Sequence, residues 1–282
     1  MDSLVTTEWL AGELGADDLR LVDATYISTL PGHAPRDAWA EYEAAHIPGA
    51  VFLDLSDLAD MDTDLPSMLP PATIFASRMA SLGLGDGCRI VLYDNAPHHT
   101  AARAWWMLRT FGARQVAILD GGLAKWRTEG RSVASGTPTP QPKPFTAALD
   151  SHGVRSLDQM KANLASGAEQ VLDARSAARF TGEEPDPRPG TAAGHIPGSQ
   201  NLPYNLLFDA EGAWKRGAAL EAAFAGAGID LAKPLVMTCG SGITASVLAF
   251  GAHLLGKDTP VYDGSWSEWG ADPSTPKAVG PA

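Results

Sequence analysis

The sequence predicts an α/β fold made of two tandem copies of one domain, each a mainly parallel sheet flanked by helices. Three observations predict it. Four short motifs occur twice in the same order, short apolar runs alternate with helix-spaced patterns inside each copy, and a proline-rich stretch separates the copies. The first copy reads Leu21-Val-Asp-Ala-Thr25, His46-Ile-Pro-Gly-Ala50, Ile90-Val-Leu-Tyr-Asp94 and Asp120-Gly-Gly-Leu-Ala-Lys-Trp126. The second reads Val171-Leu-Asp-Ala-Arg175, His195-Ile-Pro-Gly-Ser199, Leu235-Val-Met-Thr-Cys239 and Asp263-Gly-Ser-Trp-Ser-Glu-Trp269. Asp23 to His46 is 23 positions and Asp173 to His195 is 22; the next intervals are 48 and 44, the last 26 and 24. Four blocks at near-equal spacing mark an internal repeat.

In chain order, Leu19-Arg-Leu-Val-Asp23, Arg89-Ile-Val-Leu-Tyr93 and Val116-Ala-Ile-Leu119 have the length and continuous apolar character of buried strands. Residues 72–82 and 100–110 read as helices, with Gly83 and Gly112 as stop signals. Prolines at 138, 140, 142 and 144 favour an extended path, so 134–150 is read as a stiff linker between domains 1–133 and 151–282. In the second copy Pro234-Leu-Val-Met-Thr238 is a strand, and Ile243, Val247, Leu248, Gly251, Leu254 and Leu255 mark one face of the helix after it. Such alternation with short connections argues a parallel sheet covered on both faces.

The 282 residues leave room for two domains with cores of their own. With 33 acidic and 21 basic residues the net charge is −12, which opposes a phosphate-backbone partner, so no nucleic acid is expected. At 45% apolar and 19% charged the chain is not disordered. No run approaches the roughly 18 apolar residues of a spanning helix, so no membrane is expected. The opening Met-Asp-Ser-Leu-Val-Thr-Thr-Glu lacks the basic and apolar regions of a secretory signal. The two cysteines, Cys88 and Cys239, form no disulfide framework or metal-ligand pair, and the His98-His99 pair reads as exposed loop. The expectation is a reducing, cytoplasmic setting with no metal and no organic cofactor.

Chemistry concentrates at Cys239, in Thr238-Cys-Gly-Ser-Gly-Ile-Thr-Ala245. Ligands of parallel sheets sit at the carboxyl ends of strands, where this residue stands. Gly240 and Gly242 let the backbone curl so that successive amides face an anion, and the helix beginning at Ile243 and Thr244 directs its free N–H groups and positive dipole end there. A thiol so placed is favoured as the thiolate, the nucleophilic form. A lone cysteine is ordinarily a small buried hydrophobe, and Cys88, after Gly83-Leu-Gly-Asp-Gly87, reads that way. The first copy carries Asp94 where the second has Cys239, followed by a longer loop, Asn95-Ala-Pro-His-His-Thr100, without glycine. One copy is therefore read as reactive and the other as catalytically empty. A cysteine phosphatase needs Cys-x5-Arg, and position 245 is Ala, which removes that reading.

The chain resembles the tandem-domain rhodanese family of sulfurtransferases, and within it the branch that uses 3-mercaptopyruvate. The residues that carry the resemblance are Tyr42-Glu-Ala-Ala-His-Ile-Pro-Gly-Ala50, Trp105-Trp-Met-Leu-Arg109, Leu119-Asp-Gly-Gly-Leu123 and Tyr262-Asp-Gly-Ser-Trp-Ser-Glu-Trp269. The resemblance implies two rhodanese-like domains, a persulfide on Cys239, and transfer of sulfur from a 2-keto acid thiol to a thiol or cyanide acceptor, a thioredoxin-like protein among them. It implies that Gly240 and Ser241, in place of basic residues, go with mercaptopyruvate rather than thiosulfate. It also implies that Arg179, in Ala178-Arg-Phe-Thr-Gly182, and Arg188, in Glu184-Pro-Asp-Pro-Arg188, bind the donor carboxylate, a task suited to the guanidinium fork. Ser241 is read either as a proton carrier or as a small loop residue. The resemblance departs at one place: the acid and histidine positions of a Ser-His-Asp relay proposed for relatives hold Ser56 and Ser67. That leaves open a dispensable relay, another proton route or another donor. The alternatives in function are a thiosulfate sulfurtransferase and a non-enzymatic persulfide carrier or binding module.

Overall fold

The computed structural model describes residues 1–28, 30 and 35–282. They form two compact units: residues 1–60, 69–150 and 211–213 make the first, and residues 61–68, 151–210 and 214–282 the second.

The first unit is a five-stranded sheet in the order β1-β5-β4-β2-β3. Its strands are β1 (Leu4–Val5), β2 (Leu19–Asp23), β3 (Ala50–Phe52), β4 (Arg89–Tyr93) and β5 (Val116–Leu119), and every pairing is parallel. Helices α1 (Thr7–Glu13), α2 (Ala38–Ala44), α3 (Ala72–Ser81), α4 (Ala101–Thr110) and α5 (Gly122–Thr128) connect them. The second unit repeats the order as β6-β10-β9-β7-β8, again wholly parallel. Here β6 is Val154–Arg155, β7 Gln170–Asp173, β8 Gln200–Asn201, β9 Leu235–Thr238 and β10 Val261–Tyr262. Its helices are α6 (Leu157–Ser166), α7 (Ala177–Thr181), α8 (Gly217–Gly226), α9 (Ile243–Leu254) and α10 (Ser265–Trp269).

The strands read from the sequence stand where their apolar runs put them, and the helices stop where glycine lets the chain turn. Gly83, Gly112 and Gly256 follow α3, α4 and α9 with φ of 72°, 98° and 75°, a conformation L side chains resist. Repeat-related residues fill repeat-related core sites: Leu10, Ile47, Val91 and Trp126 in one unit, Met160, Ile196, Val236 and Trp269 in the other.

The repeated histidines are structural pins. His46 and His195 are buried, stack on Tyr42 and Phe180 at centroid separations of 4.3 and 3.8 Å, and donate from Nδ1 to those residues' carbonyls at 2.8 Å. The proline-rich stretch expected as a linker is a strap on the first unit. Ala134 exchanges two backbone hydrogen bonds with His46, Lys143 donates to Ala80, and Asp150 donates to Thr110. Phe145 is buried and meets Phe75 edge-on. Proline removes donors but keeps carbonyls, and Pro144 still accepts from Asp86.

Candidate active site

Strand β9 is the middle strand of the second sheet and runs straight into Cys239, which is 2% exposed. The Cys239 carbonyl accepts from the Trp266 amide at 3.0 Å, and the Gly240 carbonyl from the Ser267 amide at 2.9 Å. Both carbonyls are thus fixed to the first turn of α10. The opposite polarity is left open: among the described residues, the amides of Gly240, Ser241, Ile243 and Thr244 meet no acceptor. Gly242, at φ 80°, supplies the left-handed turn that starts α9. The loop therefore presents N–H groups and a helix N-terminus, an arrangement that stabilises an anion.

Ser265 holds this loop in place. Its buried hydroxyl accepts from the Cys239 amide at 3.2 Å and donates to the Tyr262 carbonyl at 2.8 Å. It does so at φ 50°, unusual for a residue with a side chain. Glu268, on the same helix, has its carboxyl pushed up by burial, with the Asp263 and Asp272 charges adding to that shift.

The two arginines expected at the site converge on it. A Cβ placed on Gly240 would lie 3.3 and 3.4 Å from the Arg188 Nη atoms and 3.5 Å from Arg179 Nη2. Arg179 comes from α7 and Arg188 from the loop after it, and a carboxylate that the sequence reading passed over joins them. Asp186 Oδ2 accepts from Arg179 Nη2 at 2.6 Å, and its Oδ1 accepts from Arg188 Nη1 at 3.2 Å and from the Arg188 amide at 3.0 Å. The signal was present in Glu184-Pro-Asp-Pro-Arg188, an acid fixed between two prolines. For Ser265 the signal was the serine standing where the first copy has Gly122.

The first unit shows what the same loop becomes without a thiol. Asp94 turns its own carboxylate onto the loop: Oδ1 accepts from the Ala96 amide at 3.0 Å and Oδ2 from the Ala101 amide at 2.8 Å. Burial pushes its carboxyl up to about 6 although both amides pull it down. His98 and His99 in this loop are half-buried rather than exposed, and burial lowers His99 to about 4. Cys88 is a buried residue before β4, in keeping with its structural reading. Of the two relay positions, Ser56 lies in the first unit with its hydroxyl and amide on Asp54, and Ser67, at φ 62°, belongs to the second. Ser241 is half-buried, and its hydroxyl meets no partner among the described residues. No group of three metal-ligating side chains occurs among the described residues, and no helix is long and apolar enough to cross a membrane.

Comparison with known proteins agrees with this architecture. The model of the rhodanese-like domain matches twice, over residues 6–129 and 156–272. The 3-mercaptopyruvate sulfurtransferase of Homo sapiens is 42% identical over 274 residues, 95% of this chain and 91% of that protein. The thiosulfate/3-mercaptopyruvate sulfurtransferase 1, mitochondrial, of Arabidopsis thaliana is 39% identical over 98% of this chain and 78% of its own length. The crystal structure of SseA from Escherichia coli, described with the 3-mercaptopyruvate sulfotransferases, superposes with a TM-score of 0.85 at 37% identity, covering 94% of this chain and 99% of that one. Two matched domains, the shared strand order and near-full-length likeness together make this chain a member of the rhodanese-like family.

Proposed function

We propose that the chain is a sulfurtransferase that takes a sulfur atom from 3-mercaptopyruvate onto Cys239 and hands it to a thiol or to cyanide. The observation that carries this reading is the convergence of Arg179 and Arg188 on Gly240, next to Cys239 in a loop of unengaged amides. The guanidiniums grip the donor carboxylate and aim its thiol sulfur at Cys239. The Cys239 thiolate attacks that sulfur, the carbon–sulfur bond breaks, and its electron pair leaves on carbon as the enolate of pyruvate. The loop amides of Gly240, Ser241, Ile243 and Thr244 hold the sulfur's negative charge, as oxyanion-hole donors hold oxygen. Ser241 relays the proton of the former donor thiol from the new persulfide to the enolate carbon, which gives pyruvate. An acceptor thiolate then attacks the outer sulfur of the Cys239 persulfide, which leaves the acceptor persulfidated and Cys239 a thiolate again.

The donor is a small 2-keto acid thiol, and a thioredoxin-like protein is proposed among the thiol acceptors. The cytoplasm is the proposed setting, a reducing compartment in keeping with two free cysteines. Thiosulfate is a second donor reading, favoured by the Arabidopsis relative whose name carries both donors.

Intact-mass and peptide measurements test the covalent step. After exposure to 3-mercaptopyruvate without acceptor, wild type should gain one sulfur atom on the peptide containing Cys239, lost on adding a thiol, and Cys239→Ser should gain none. Wild type that takes up no sulfur would sink the reading.

A further inference from the structure

We infer that Asp186 is a specificity-determining residue that matches the site to a singly charged donor and against a doubly charged one. This rests on the donor-binding reading given above and names the residue that sets its preference. The geometry is a three-member cluster in the second unit. One carboxylate, 1% exposed, spans two guanidiniums that are 20% and 15% exposed. Both its oxygens are engaged, at 2.6 Å with Arg179 and at 3.2 Å with Arg188, and the Arg188 amide adds a third bond. Each guanidinium carries five N–H donors. Among the described residues Asp186 takes one from each, and Arg179 Nε is buried without a partner. Arg188 Nη2, which Asp186 does not engage, lies 3.4 Å from a Cβ placed on Gly240 in the reactive loop, with Arg188 Nη1 and Arg179 Nη2 at 3.3 and 3.5 Å.

The charge count follows directly. Within the arginine cluster two cations and one anion leave a single positive charge for the donor, while the loop amides offset the Cys239 thiolate and the transferred sulfur. A 2-keto acid thiol brings one carboxylate charge and neutralises that surplus. Thiosulfate brings two charges, and the second is left uncompensated in a largely buried cluster, which is costly. Specificity of this kind is a difference in affinity set by an unpaired charge against the wrong ligand. Asp186 therefore does more than brace the arginines: it removes the charge that would have welcomed a dianion.

The test compares kcat/KM for 3-mercaptopyruvate and thiosulfate in wild type, Asp186→Asn and Asp186→Glu at fixed ionic strength, with folding checked by thermal melting. Asparagine keeps an acceptor and removes the charge, so the 3-mercaptopyruvate to thiosulfate ratio should fall tenfold or more, whatever happens to each value separately. Glutamate keeps the charge and shifts its position, so both values should fall with the ratio kept within about threefold. A brace without a charge role predicts an unchanged ratio in both variants, and that result overturns the proposal. Should Asp186→Asn fail to fold, competitive inhibition of wild type decides. Pyruvate should bind at least tenfold more tightly than sulfate, and equal or tighter binding of sulfate overturns the proposal. Wild type that turns over neither donor contradicts the functional reading itself, a separate outcome from an unchanged ratio in an active enzyme.

Discussion

Asp94 and Cys239 occupy the same place in the repeat and solve the same electrostatic problem in opposite ways. A strand ends, a helix begins, and the N–H groups between them need an anion or an acceptor. Asp94 supplies its own carboxylate, and the loop is closed on itself. Around Cys239 the amides of Gly240, Ser241, Ile243 and Thr244 meet no acceptor among the described residues. The cost of the first solution is a buried carboxylate raised from 3.8 to about 6, and Asp23, also buried and near the Asp94 charge, is raised to about 6 as well. Raised carboxyls bind protons more tightly in the folded than in the unfolded chain, so stability falls as pH rises from about 4 through about 6. Two acids with lowered values, Glu129 and Asp272 at about 2, act with the opposite sign below that window, and His99, lowered to about 4 by burial, opposes within it as one group against two. The melting temperature should therefore climb between pH 7 and pH 5, with a shallower climb in Asp94→Asn. A profile that falls with acid over this range, or one that Asp94→Asn leaves unaltered, would contradict this account. At this scale Cys239 was legible because glycines and a strand–helix junction surround it in sequence. The arginines were legible only through a family resemblance, because they reach the cysteine from about 50 to 60 positions away. Asp186 and Ser265 escaped because their roles lie in hydrogen bonds to a partner's guanidinium or backbone amide, which no periodicity records.

At the level of elements, α5 and α10 are the repeat's most telling pair. The Leu123 amide donates to the Asp94 carbonyl at 3.2 Å as the Trp266 amide donates to the Cys239 carbonyl at 3.0 Å. Both helices open on a left-handed residue, Gly122 at φ 54° and Ser265 at φ 50°. A Cβ on Gly122 would come within 2.5 Å of the Asp94 carbonyl oxygen, a rigid backbone atom. Gly122→Ala should thus destabilise the protein by more than about 2 kcal/mol, combining left-handed strain with an unrelieved collision. Denaturant unfolding measures this, and a loss below about 0.5 kcal/mol would show that the turn yields easily. The longer strands and helices were legible because burial imposes apolar runs and 3.6-residue spacing on them. Two-residue strands such as β1 and β6 were not, since pairing at a sheet edge rather than any local pattern defines them. The stretch 134–150 reads in sequence as a stiff linker because its prolines announce extension, but not the carbonyls and Phe145 that fasten it to the first unit.

Across the molecule, one sheet topology is used twice, and the proposed chemistry stands in one copy. Duplicate strand order explains why the spacing of four motifs was enough to recover the architecture. The copies fill matching core sites with apolar residues and differ in kind at the loop after the central strand, Asp94 against Cys239: cores are constrained by packing on every side, whereas a loop at a strand's carboxyl end is free to change. The account places reaction and donor choice in the second unit, on Cys239 and the arginine pair that Asp186 holds. The most direct check is steady-state turnover of wild type and Cys239→Ser with 3-mercaptopyruvate and with thiosulfate, each with cyanide and with a dithiol as acceptor. The account predicts Cys239-dependent release of pyruvate and a kcat/KM for 3-mercaptopyruvate above that for thiosulfate. Turnover that survives Cys239→Ser, or a preference for thiosulfate, would contradict it.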